Sequence, residues 1–177
     1  MTFTNKTELM APAGSFESLQ AALDNGADSI YFGVEQLNMR ARSTVNFSID
    51  DLPEIARRCE MKNVRSYLTL NTIIYDHDLT VVKTLLTKAK DANITAVIAS
   101  DQAVIAMAKS IAIEVHISTQ LNITNIETIK FYSLFADTMV LSRELSLRQG
   151  RKITGQIEKE KIKDPGGNLV EVEMFGL

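Results

Sequence analysis

Residues 94–119 read ITAVIASDQAVIAMAKSIAIEVHIST, and their pattern decides which fold classes are open to the chain. ITAVIAS is a short apolar run, DQAVIAMAKSIA an amphipathic helix and IEVHIST a second apolar run. Asp101 stands where a helix cap belongs. Strands this uniformly apolar pair in parallel and are covered by helices on the sheet face.

The same unit repeats outward in both directions. Towards the N-terminus lie the strand in ELMAPAG (8–14), the helix SFESLQAALDNG (15–26) and the strand DSIYFGV (28–34). Ser15 suits the helix N-cap, Ser18 lies three residues on where a capping box would want Glu, and Gly26 suits the C-cap. The helix SIDDLPEIARRCEMKN (48–63) carries acidic residues and Pro53 at its start. VRSYLTLNT (64–72) is the third strand. DHDLTVVKTLLTKAKDAN (76–93) is its helix, with Leu79, Val82, Leu85, Leu86 and Ala89 on one face. Towards the C-terminus follow the helix NITNIETIKFYSLFA (122–136), the strand TMVLS (138–142) and a charged helical stretch (146–164). A PGGN turn leads to a seventh strand in LVEVEMFGL (169–177). An open doubly wound sheet can stop at seven units, whereas a (β/α)8 barrel is then short by about one.

Composition narrows function only by exclusion. The 177 residues carry a net charge of −3, are 45% hydrophobic and 23% charged, and suit a single globular domain. No positive balance advertises a phosphate-binding surface. No long apolar segment marks a signal peptide or membrane span, so a cytoplasmic setting is expected. Cys59 is the one cysteine, read as a half-buried helix residue with no disulfide or metal-ligand partner.

Both candidate architectures put function at the carboxyl ends of strands. Those ends carry Asn71, Gln120, Asn122 and Arg143, long or amide side chains beyond what caps require. The longest non-periodic loop, GVEQLNMRARSTVNFS, adds Asn38, Arg40 and Arg42, suited to a carboxylate or phosphate. His77, flanked by aspartates, reads as a surface residue. His116 lies inside an apolar strand and should share a face with Glu114 and Ser118. It is either a satisfied core histidine or a site residue. Ser118 and His116 two apart on one strand do not make a nucleophile and base, and no elbow motif surrounds the serine. No Gly-rich phosphate loop or HExxH is present.

ELMAPAGSFESLQAALDNGADSIYFG, LNMRA, NFS, YLTLNTIIYD, HISTQLNITN and SRELSL, in that order, resemble the collagenase-like peptidase family of unknown catalytic type (peptidase family U-32). The resemblance implies a TIM-like barrel, here an incomplete (β/α)8 barrel of about seven units in a single N-terminal domain spanning 1–177. It implies an origin among enzymes that hydroxylate RNA bases or the ubiquinone ring, several of which hold an iron–sulfur cluster on cysteines. Glu173, Met174 and Phe175 match the opening of the family signature, whose cysteines would follow. RQGRKITGQIEKEKIKDPGGN departs from the acidic stretch usual after RELSL. The chain is therefore expected to be truncated before the cysteine-containing region, inactive alone and without a cofactor of its own. Asn38, Arg40, Asn71, His116, Gln120, Asn122, Arg143, Glu144 and Glu173 form the expected substrate-facing set. Arg40 and Arg143 would contact anions, and Asn71, Gln120 and Asn122 would orient the ligand. The expected partner is RNA or a small aromatic or carboxylate ligand. Self-association through the open barrel edge is also expected. A protease acting on collagen-like peptides and an inactive binding module are the alternatives.

Overall fold

The computed structural model describes residues 7–34 and 47–175. Within them, strands β1 (Met10–Pro12), β2 (Ser29–Phe32), β3 (Arg65–Leu70), β4 (Ala96–Ala99), β5 (Glu114–Ile117), β6 (Thr138–Val140) and β7 (Glu171–Glu173) alternate with helices. The helices are α1 (Phe16–Asp24), α2 (Leu52–Met61), α3 (Leu79–Asp91), α4 (Gln102–Ser110), α5 (Ile126–Tyr132) and α6 (Leu147–Glu160).

Strand order separates the two architectures that the alternation left open. The sheet runs β1-β2-β3-β4-β5-β6-β7, parallel throughout and without a reversal. A doubly wound sheet has a switch point where the order reverses. This sheet has none among the described residues. It curls as the wall of a TIM-like barrel, with β1 and β7 at its two edges.

Register then sorts each strand into two faces. Ile30, Phe32, Leu68, Leu70, Val97, Val115, Ile117 and Met139 belong to the main core cluster with Leu19, Ile55, Leu85 and Val104 of the helices. Full burial of each such side chain stabilises the fold by about 1.5–3 kcal/mol. On the opposite, inner face two in-register rows run across the sheet. One is Tyr31, Tyr67, Ala96 and Glu114; the other is Thr69, Ile98, His116, Thr138 and Glu171. Tyr67, Ala96 and Ile98 form a second, small apolar cluster there, packed by Met10 and Tyr31. The strands therefore alternate more than their sequences suggest. Small and aromatic inner residues hide the period of two.

The connections at the amino end of the wall share one device. After α1, α2, α3, α4 and α6 the chain turns through positive φ at Gly26, Asn63, Asn93, Ala112 and Lys161. The next residue in each case, Ala27, Val64, Ile94, Ile113 or Ile162, donates its N–H back to the carbonyl five residues earlier. These are Schellman closures with an apolar residue after the turn, half-buried at Val64 and buried at the other four. At the other helix ends, Ser15 caps α1 as expected and Ser18 completes a capping box in place of the usual Glu, while Asp101, Asn125 and Ser146 cap α4, α5 and α6. Pro53 occupies the first turn of α2. α5 is shorter than its sequence suggested, and Leu79 of α3 is half-buried beside the buried Val82, Leu85, Leu86 and Ala89. Cys59 is fully buried rather than half-buried, at 1% exposure.

Candidate functional site

The inner face concentrates polar side chains. His116, the third residue of β5, is 3% exposed. Its Nε2 lies 3.0 Å from Glu114 Oε1, and its ring packs on Tyr67 with centroids 4.5 Å apart. Glu114 thus shares the face expected of it. Donation from His116 is the main reason its carboxyl is held below the usual range, with burial opposing and the charges of His116 and Arg65 assisting. An ionised Glu114 takes the Nε2–H, so whenever the ring is neutral its lone pair is on Nδ1. That Nδ1 is buried and has no hydrogen-bond partner among the described residues.

Glu173 closes the same face from β7. Its Oε2 is likewise buried without a partner, and burial pushes its carboxyl above the ordinary range, a little offset by His116. Native proteins leave few buried polar atoms unpaired, because each costs about 1–3 kcal/mol. Ser29 Oγ, two residues before Tyr31 on the same face, is a third, and the pair on β5 and β7 marks a place that a ligand would satisfy.

Below His116, at the amino ends of the strands, the interior is closed. The Tyr67 hydroxyl donates to Glu8 Oε1 at 2.8 Å, and Arg65 pairs with the same carboxylate while lying 5.8 Å from the Tyr67 ring. Burial pushes the Tyr67 phenol up to about 12, so it remains a donor at neutral pH.

At the carboxyl ends the expected residues separate into groups. Asn71, half-buried after β3, donates to the buried Ser118 Oγ at 3.4 Å. Ser118 thus engages Asn71, while His116 Nε2 engages Glu114, and no serine–histidine pair forms between them. Gln120 and Asn122 are exposed. Asn122 closes the turn 119–121 in the left-handed region, at φ 49°. The Arg143 guanidinium sits 4.4 Å from the Phe175 ring centroid, and Glu144 accepts from Ser142, whose hydroxyl lowers its pKa. Asn38, Arg40 and Arg42 lie outside the described residues. His77 is a surface residue stacked on Tyr75.

Tyr67 was absent from the expected set. The signal that could have found it is its row, since it aligns with Ala96 and Glu114 one step from His116. An iron–sulfur cluster does not fit the residues of this chain. Such clusters are held by about four thiolates, whereas Cys59 is the one cysteine, packed in α2 with burial pushing its thiol up to about 11. Among the described residues no group of His, Cys, Asp and Glu gathers to hold a metal ion, and no helix is long and apolar enough to cross a membrane.

Residues 14–177 match the model of Peptidase family U32. A protein of Porphyromonas gingivalis named Collagenase is 53% identical over 171 residues, covering 97% of this chain and 41% of its own length. A tRNA hydroxylation protein of Bacillus subtilis is 30% identical over 175 residues, covering 97% of this chain and 39% of its own. The chain thus spans about two fifths of these relatives. A solved U32 peptidase superposes with a TM-score of 0.70 at 15% identity, over 98% of this chain and 69% of that one.

Proposed function

The chain belongs to peptidase family U32, and from that premise we propose that it forms the barrel of an enzyme that hydroxylates a base in RNA. The observation that carries this reading is the inner strand face. A neutral heteroaromatic ring is bound by flat apolar walls and a few directed hydrogen bonds. The Tyr67 and His116 rings, the unpartnered His116 Nδ1 and the buried Glu173 carboxyl supply those elements. Asn71, Gln120, Asn122, Arg143 and Glu144 lie at the mouth above them, where they would contact the flanking nucleotides. The chain's net charge of −3 puts little of the affinity in phosphate contacts and more in the base itself.

The second reading is a peptidase acting on collagen-like chains, favoured by the 53% identity to the protein named Collagenase. Against it stand Ser118, engaged by Asn71, and Cys59, buried with a raised thiol pKa. A cytoplasmic setting and pairing of two copies through the β1 and β7 edges complete the proposal.

A strain lacking the gene tests the two readings together. Mass spectrometry of digested RNA should show loss of one hydroxylated nucleoside, restored by the intact gene. An unchanged nucleoside profile, with gelatin cleavage that disappears in the mutant, would overturn the hydroxylation reading in favour of the peptidase.

A further inference from the structure

His116 and Glu173 stand on β5 and β7, with β6 between them. Thr138 of β6 pairs on one side with His116 and on the other with Glu171, two residues before Glu173. Strand spacing separates the β5 and β7 backbones by about 10 Å. Glu173 itself pairs with Val140, so it stands one inner row beyond His116 on the same face. On the acceptor side His116 Nε2 lies 3.0 Å from Glu114 Oε1, and a neutral ring that donates there keeps its lone pair at Nδ1. The other side is the Glu173 carboxyl, whose Oε2 is buried and unpartnered.

We infer that His116 Nδ1 and the Glu173 carboxyl form a two-point hydrogen-bonding site for the edge of a cyclic amide, in which His116 accepts a ligand N–H and Glu173, as the neutral acid, donates to the adjacent carbonyl. Burial favours the protonated form of Glu173. Tyr67 supports the imidazole from its face, and Glu114 is a positioning residue that sets which ring nitrogen is free. The inference rests on the RNA-base reading for the kind of ring, but the hydrogen-bonding pattern stands on these residues alone.

Histidine-¹⁵N NMR of the full chain tests it, with uracil as the probe and 1,3-dimethyluracil, which lacks the N–H, as its partner. His77 and His116 are the two histidines to resolve. Without probe, His116 should show a protonated Nε2 and a bare Nδ1. Uracil at about 10 mM, in the range where a two-hydrogen-bond fragment binds, should shift Nδ1, and dimethyluracil should not. Glu173→Leu should weaken uracil binding about tenfold, whereas Glu173→Gln, still a neutral donor, should stay within about threefold. A His116 ring protonated at Nδ1, equal binding of the two probes, or loss in Glu173→Gln equal to that in Glu173→Leu would each overturn the site. Loss of the hydroxylated nucleoside in the deletion strain alongside an Nδ1–H ring would overturn the site and leave the RNA reading standing. Uracil contact at His116 with an unchanged nucleoside profile would do the reverse.

Discussion

Ala112 is the position where this fold stores the clearest local strain. It follows α4 at φ 56°, in the left-handed region that L-residues with a Cβ avoid. Holding alanine there costs about 1–2 kcal/mol. Glycine would remove that cost but adds about 0.4–1 kcal/mol of backbone entropy in the unfolded chain. Ala112→Gly should therefore stabilise the protein by about 0.5–1 kcal/mol. The carbonyl that receives Lys90 Nζ at 2.6 Å belongs to the backbone and survives the change. The same substitution six residues earlier supplies the control. Ala106 is exposed inside α4, so Ala106→Gly should cost about 1 kcal/mol. Urea unfolding followed by circular dichroism measures both, with an unchanged slope required for the comparison. For a chain of this size the gain corresponds to a rise in Tm of about 2 °C. If Ala112→Gly is as destabilising as Ala106→Gly, the left-handed closure does not carry the strain assigned to it.

Three further outcomes follow from other parts of the molecule. Gly155 lies inside α6 with nothing within 4 Å of a built Cβ, so Gly155→Ala should stabilise by about 0.5–1 kcal/mol in the same assay. Glu173 binds its proton more tightly folded than unfolded, so the stability it contributes is full below the ordinary carboxylate range and is lost as pH rises through that range to the raised value. Glu173→Gln should accordingly gain stability relative to wild type as pH rises through and above the ordinary carboxylate range, read as the difference in urea midpoint; a constant difference would refute the assignment. Cys59, 1% exposed with its thiol pushed up to about 11, should react with a disulfide reagent at mildly alkaline pH only as fast as the protein opens, and denaturant should abolish the protection.

The sequence by itself determined the alternation of strand and helix, the Ser15 N-cap, the apolar face of α3 and membership of the family. These are local properties, carried by residues within a turn or two of each other. It also placed Glu114 and His116 on one face, because two residues apart on a strand fixes that relation. Only the tertiary structure decided that the strand order never reverses, since parallel pairing is fixed by packing between segments far apart in the chain. The same is true of the Tyr67–Glu8 bond, which joins residues 59 apart, and of the Asn71–Ser118 contact, 47 apart. The left-handed turn at Ala112 was equally hidden, because alanine does not advertise it. Burial of Ile113 and its N–H bond to Ala108 impose it. The unpartnered state of His116 Nδ1 and Glu173 Oε2 depends on what every neighbouring strand fails to offer, a property that no single segment contains.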